Sequence, residues 1–539
     1  MRPSKGLVMA AAMMLSVSGV TTHVGAQTTP YVTNLDAAYA DLDALVSAGL
    51  VRRIFLGERP YSRAAFARFV AEARGRVAQR GRPVDSRTLE SLERLASRFD
   101  PVGQDDRAVR PRGAWLDVTG SDSPYRPMRR GADGHIDAMV NPLLETNQGR
   151  VLDDGVTGAV EASFDWHGGP VAGQVHPRAW LGAPRGPDAV DVDVTLLEAY
   201  GRTTLGPAAF ELGRNHVTLG HGTVGGTPLS HNARGLDMLR ITMDRPAQLP
   251  GPFRVLGLWQ LSGLLANMGE NSDTPGSYMS VLRFASRPSR FTELAINYMN
   301  HQGGENSPAG NWRDRVHDTF FFWTNDGYLQ ISDKLVGFDF ALTLPALHSN
   351  MYVNFLTTDD RGKFSQPATG IWEDAIWVAG GRLFRVGPSG RFDVWGEWRH
   401  AGARIYTHHQ FTSGLTLDER IIGDPIGPNA ASVQGGLDWT GPSSRVSLVG
   451  AWELYSGDSY TWGIPAGDVY PNYDWWRVAN NPDESRWRVT ASWSGLAPIR
   501  SLEDLETTVH LGYEHVTRFN YLDENRSNFL VQVRAGYSW

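Results

Sequence analysis

Between Tyr460 and Trp476 the chain sets Tyr460, Trp462, Tyr470, Tyr473, Trp475 and Trp476 beside Asp468, Asn472 and Asp474. Sugar rings stack their C–H faces on aromatic rings while carboxylates and amides bond their hydroxyls, so this composition suits saccharide binding. The competing reading packs the same rings against the body of the protein. The pair His408-His409 offers two imidazoles, but adjacent side chains in an extended loop point opposite ways, whereas a strand-borne metal pair needs i, i+2 spacing. Gly220-His221-Gly222 and Gly225-Gly226 have no helix behind them, so they read as loop rather than as a phosphate cradle. Nucleophile-elbow, zincin-helix and Walker patterns do not occur. The residues therefore point to binding rather than catalysis, with no cofactor and no metal.

Such a binding loop must hang on a scaffold, and composition restricts which. Arg2 and Lys5, the apolar stretch Gly6 to Val20 and the small residues Val24-Gly25-Ala26 read as a signal peptide over 1–26, with a short segment 27–33 behind it. Beyond it no run approaches the roughly 20 apolar residues of a membrane-spanning helix. A mature chain that crosses a membrane must then do so as a closed β-barrel. The chain has no Cys, so its stability cannot rest on disulfides. The net charge of −7 argues against a nucleic-acid partner, while 18 Trp, 59 Gly and 31 Pro suit aromatic girdles and many turns.

Residues 34–104 carry a helical period. Asn34 is placed to cap a helix over Leu35 to Leu50, with Leu35, Ala38, Leu42, Leu45 and Val46 on one face and Gly49 near its end. Ser62 caps a second helix, containing Phe66, Phe69 and Val70. Asp85 or Ser86 opens a third, striped by Leu89, Leu92, Leu95 and Phe99. This is a small helical bundle, expected on the periplasmic side.

Over 105–539 the period becomes 2. Val160, Ala162, Phe164 and Trp166 alternate with Glu161, Ser163 and Asp165, and the same holds around Val446–Leu454, Trp487–Trp493 and Val509–Tyr513. Short turns at 168–170, 205–208, 245–251, 287–290, 333–336, 387–390, 441–444 and 495–504 alternate with long loops such as 219–235, 302–318, 401–430 and 457–485. Short turns on one side and long loops on the other are expected of a bacterial outer-membrane barrel, here of about 18 antiparallel strands. Inward charges such as Arg391, Asp393, Glu397 and Arg399 beside Trp395 would line its lumen, either to select a polar solute or, the reading preferred, to neutralise one another. Phe529, Val531, Val533, Ala535, Tyr537 and Trp539 share one face of the last strand. This pattern looks like the signal read by the barrel-assembly machinery, which makes that machinery an expected partner beside the lipid bilayer.

Two stretches resemble the Wzi family of capsule assembly proteins. Gly213-Arg214-Asn215-His216 leads through Leu219-Gly220-His221-Gly222 to Pro228-Leu229-Ser230-His231-Asn232-Ala233-Arg234, which is similar to the family's Gly-rich turn and Ser-Asn-Ala-Arg segment. Tyr406-Thr407-His408-His409, Gly414, Arg420 and Ile422-Gly423-Asp424-Pro425-Ile426-Gly427-Pro428 resemble a loop late in its barrel. The family's Trp before the Gly-rich turn is absent, with Thr218-Leu219 in its place. The resemblance implies a lectin-like outer-membrane barrel that attaches or organises capsular or exopolysaccharide, without catalysis, and periplasmic helices that help close the lumen. Its saccharide candidates are Arg214, Ser230, Asn232, Arg234, Tyr406 and His408, joined by Tyr470, Tyr473, Asp474, Trp475 and Trp476 from the aromatic loop. The alternative function is a porin for a small polar solute. A third reading starts from Gly57-Glu58-Arg59-Pro60-Tyr61-Ser62-Arg63, similar to the start of a surface-layer-homology repeat, and would make that segment a cell-wall tether.

Overall fold

The computed structural model describes residues 28–81, 83–99, 108–122, 126–127, 138–168, 170–185, 190–248, 250–320, 331–358, 371–463, 474–479, 481–496 and 504–538; at 126–127, 459–463 and 474–479 it describes the backbone alone. Residues 1–26, read from sequence as a signal peptide, and Trp539 lie outside these residues.

Alternation of apolar and polar residues makes the wall. The first nine strands are β1 (Val109–Ser121), β2 (Gly155–Gly168), β3 (Val171–Pro184), β4 (Asp191–Leu205), β5 (Ala208–Asn215), β6 (Leu236–Met243), β7 (Leu258–Asn267), β8 (Tyr278–Arg287) and β9 (Thr292–Gln302). The next nine are β10 (Ser332–Leu344), β11 (Ser349–Thr358), β12 (Ala375–Val386), β13 (Phe392–Ala401), β14 (Ala430–Thr440), β15 (Ser444–Tyr455), β16 (Glu484–Leu496), β17 (Glu506–Thr517) and β18 (Asn525–Ser538). Each pairs antiparallel with the next, and β18 returns to β1 with Val533 opposite Val118, so the sheet closes without an edge. This is the expected 18-stranded barrel.

Period 2 puts opposite chemistry on the two faces. In β2, Val156, Val160 and Phe164 stand exposed while Thr157, Glu161, Ser163 and Asp165 are buried toward the lumen. In β18, Phe529, Val531 and Val533 are exposed likewise. A continuous exposed apolar band around a polar interior is the lipid-facing arrangement of a membrane barrel. No helix among the described residues is long and apolar enough to cross a membrane.

The turn 333–336 expected from sequence is not a turn. Asp333 and Lys334 lie inside β10, and the reversal comes at 345–348. Two adjacent charges looked like a break because their side chains face opposite sides of the wall. Asp333 is buried on the lumen parity, while Lys334 faces outward to Asp318 at 2.7 Å.

The helical part sits at the turn end of the barrel as α1 (Ala38–Ser47), α2 (Arg63–Gln79) and α3 (Ser86–Phe99). The first helix starts later than expected. Asn34 does not cap it but donates to the His216 carbonyl at 3.2 Å, and Leu35 lies outside the helix and exposed. Gly49, at φ +69°, ends it, with the Gly49 and Leu50 N–H groups donating to the Val46 and Leu45 carbonyls. Ser62 accepts from the Ala65 N–H as N-cap of α2, and Asp85 accepts from the Thr88 N–H at the start of α3. Leu42, Leu45, Phe66, Phe69, Leu92, Leu95 and Phe99 form one core, to which Leu89 does not contribute because it is exposed.

Charges fasten this unit to the wall. Arg87 reaches Asp393 of β13 through two bonds of 2.7 and 2.6 Å, and Arg391 pairs with Glu90 at 2.8 Å. Glu293 of β9 accepts from the Leu56 and Gly57 N–H groups at 2.8 and 3.0 Å. Glu58 is buried among Arg240, Gln260 and Ser262 at 2.6, 3.2 and 3.1 Å. The segment read as a possible cell-wall tether thus reaches into the lumen, where Glu58–Arg59 pairs with Thr218–Leu219.

Candidate functional site

The loop 216–235 enters the lumen from the opposite end and meets the helical part there. The Gly220 N–H donates to the Gly57 carbonyl at 2.8 Å. Its glycines are required by close backbone approach: a Cβ on Gly226 would lie 1.3 Å from the Leu219 carbonyl oxygen, and Gly222 has φ +130°. At its tip the Thr223 N–H and hydroxyl donate to Glu397 at 2.9 and 2.7 Å. The same carboxylate accepts from Tyr352, Gln434 and Arg399 at 2.6, 2.6 and 2.9 Å. Glu397 and Arg399 therefore do neutralise each other, as the sequence suggested, and they also anchor a loop. Tyr352 was missed, since a lone Tyr on a strand carries no signal of its inward partner.

The loop 402–429 covers this first loop and interlocks with it. Ser230 Oγ donates to the Gly423 carbonyl at 2.5 Å, and Asn232 Nδ2 to the Ile421 carbonyl at 2.9 Å. Tyr406 OH donates to the Thr227 carbonyl at 2.6 Å and accepts from the Asp424 N–H at 3.0 Å. Beneath them Val217, Leu219, Leu229, Ile405, Leu415, Ile421, Ile422 and Ile426 pack on inward wall residues such as Met279, Val281, Leu335 and Val378. Apolar packing of this kind fills the loop half of the lumen.

Electrostatics follow from burial. His231 has its ring pushed down to about 3 by burial, with Arg59 adding to the effect. His408 is pushed down to about 3 by burial and by His409, and its Nδ1 accepts from the Gln410 N–H at 3.2 Å. Burial pushes the Asp424 carboxyl up to about 6, against the pull of Arg399 at 3.5 Å. Among the described residues no cluster of three His, Asp or Glu side chains is placed to hold a metal ion.

The candidate residues therefore divide into two layers. Ser230, Asn232, Tyr406 and His408 are buried, and the polar atoms of the first three engage the facing loop. Arg214 and Arg234 stand nearer the surface. Arg214 forks onto Asp237 at 2.8 and 2.7 Å, and Arg234 reaches Asp237 at 3.2 Å and also pairs with Asp418. With Asn271, which donates to Asp418 at 3.3 Å, they form a half-exposed polar rim. Asp474, Trp475 and Trp476 lie on the short strand Asp474–Ala479, paired with Ser459–Gly463 so that Trp475 opposes Trp462 in register. Tyr470 and Tyr473 lie outside the described residues.

A model of the family described as capsule assembly protein Wzi matches residues 125–452. Among solved structures, the chain is similar to Escherichia coli Wzi, described as an outer membrane protein involved in group 1 capsule assembly and a carbohydrate-binding β-barrel. The TM-score is 0.65 at 16% identity, covering 95% of this chain and 100% of that one. Acinetobacter baumannii OccAB1 gives 0.41 at 11% identity, covering 80% and 98% of the two chains. Pseudomonas aeruginosa OccK5 (OpdH) gives 0.40 at 9% identity, covering 80% and 97%. No curated protein sequence matches.

Proposed function

The chain belongs to the capsule assembly protein Wzi family, and from that premise we propose that this outer-membrane barrel binds capsular or exported polysaccharide at the cell surface without altering it chemically. The observation that carries the reading is the double filling of the lumen, by the helical part from the turn end and by two interlocked loops from the other. A long polymer is then offered the loop surface rather than a pore. The turn end, with the helices, faces the periplasm, in keeping with short periplasmic turns and long outer loops.

The saccharide surface is the rim of Arg214, Arg234, Asp237 and Asp418 together with the aromatic segment of Tyr470, Tyr473, Asp474, Trp475 and Trp476. Ser230, Asn232, Tyr406 and His408 act one layer below, holding the loops that present it. The exposed Phe529, Val531 and Val533 of β18 support recognition of that strand by the barrel-assembly machinery.

The test is calorimetric titration of the detergent-folded protein with the host's own surface polysaccharide. Saturable binding is expected, weakened in Trp475→Ala/Trp476→Ala and in Arg214→Ala/Arg234→Ala. Full affinity in both double variants would move the site elsewhere, and no binding by the unaltered protein would overturn the reading.

A further inference from the structure

Residues 302–318 read as loop, yet a helix, α4 (Trp312–Phe320), starts within them and lies against the outside of the wall. Its polar side is fastened to side chains on the outward parity of β9 and β10. Asp318 pairs with Lys334 at 2.7 Å and accepts from Asn300 Nδ2 at 3.0 Å and from Ser332. Tyr298 donates to the Asp318 carbonyl at 3.2 Å, and Gln302 to Thr319 Oγ1 at 2.6 Å. Register fixes the side of the wall. Tyr298, Asn300 and Gln302 stand opposite Val336, Lys334 and Ser332, in one column with the exposed Leu294, Ile296, Phe338 and Phe340. The lumen column of the same strands carries Glu293, Asn297 and Asp339 instead. The helix therefore lies outside the barrel, above its apolar band.

The face turned away from the wall is apolar. Trp312, Val316 and Phe320, spaced i, i+4, i+8, are 64%, 41% and 49% exposed. Arg313 is exposed beside them, its guanidinium 5.4 Å from the Trp312 ring centroid. At the same rim, Trp377 of β12 and His400 of β13 join the segment before β12 in an aromatic girdle, where Trp372 stacks on His400 at 3.9 Å and Trp377 donates to the Ile371 carbonyl at 2.8 Å. Rings at this level mark the water–lipid boundary.

We propose that α4 is an interfacial helix whose Trp312, Val316 and Phe320 insert into the outer leaflet of the bilayer the barrel spans, with Arg313 at the phosphate level. The occupant of the apolar face is lipid because the helix is fastened to the outward columns of β9 and β10 that carry the exposed Leu294, Ile296, Phe338 and Phe340. Polar residues high on β9 and β10, which would otherwise meet acyl chains, are covered by the helix, which accepts the side-chain N–H groups of Asn300 and Gln302 and pairs with the Lys334 ammonium. The strap thereby ties the loop that carries it to the membrane surface.

The chain has no Cys, so single-cysteine labelling is clean. Val316→Cys and, as comparator from the same loop, Glu305→Cys would each carry an environment-sensitive fluorophore in phosphatidylcholine vesicles. Position 316 is expected to lose fluorescence to a nitroxide-labelled lipid and to resist aqueous iodide, with the reverse at 305. Iodide quenching at 316 equal to that at 305 would overturn the proposal, as would insensitivity of 316 to both quenchers, which would mean a cover of protein. In an Asp318→Ala background, iodide access at 316 should rise; unchanged shielding would overturn the role given to that carboxylate.

Discussion

Ser230, Asn232 and Tyr406 commit their polar atoms to the backbone of a facing loop, so their replacement should act through loop closure before it acts on any ligand. In Asn232→Ala the Ile421 carbonyl loses a buried donor, a loss of about 1–3 kcal/mol. Amide exchange should quicken across 220–235 and 415–424 and stay unchanged in the barrel strands; unaltered loop protection would sink the lock. Acid should open the same loops. His231 and His408, held near 3 against an ordinary 6.5, favour the closed state only while neutral, and that contribution drains away as pH falls from 6.5 toward 3. Asp424, raised to about 6 from 3.8, works the other way and favours closure increasingly as pH falls from 6 to 3.8. The buried imidazoles outnumber the single opposing carboxyl, so the balance favours opening in acid. Spin labels at Thr227→Cys and Pro425→Cys should therefore separate between pH 7 and 4, and His231→Gln/His408→Gln should weaken the effect, leaving the share of the buried His216, His221 and His301. A separation indifferent to pH would show that desolvation of the two rings does not govern the lock.

At the scale of elements, docking of the helical part depends on a few buried charges. Arg87 and Asp393 are both nearly inaccessible, so Arg87→Ala strands a carboxylate in the wall and should cost about 3–5 kcal/mol of docking. Trypsin should then cut between α2 and α3 much faster while the barrel keeps its heat-modifiable mobility on gels. Equal cleavage rates would mean that the apolar core alone holds the unit. Elements such as α2 and β2 were legible because one chemical period runs through each, and Ser62 and Gly49 act within their own turn. The helix α4 was not. Its three apolar residues sit among Arg, Asp and His in a stretch opened by Gly and Asn, and it is held by β9 and β10 rather than by its own propensity. The same cause produced the false turn at 333–336, since Lys334 reads as a surface charge until Asp318 stands beside it. The site was legible in residue type only: an Asn or Ser that grips a neighbouring loop and one that grips a sugar are identical in sequence.

For the whole molecule, the consequence is electrical. Eighteen strands enclose a lumen wide enough for an aqueous channel when nothing fills it. Here the Glu58–Arg59 strand, the 216–235 loop and the 402–429 loop meet inside the wall, and cavities of about 440 and 500 Å³ remain along the seam between the helices and the strands. The three pieces support one another in series. Glu397 holds the tip of the first loop through Thr223, the helical part meets its base at Gly220, and the second loop caps it through Ser230, Asn232 and Tyr406. The unaltered protein should thus be silent in planar bilayers. Glu397→Ala removes the acceptor of five donors and frees the tip without touching the outer rim, so it should produce brief openings at unchanged polysaccharide affinity. Steady conductance by the unaltered protein would mean that the packed loops leave a continuous water path, and the barrel would then have to be understood as a channel.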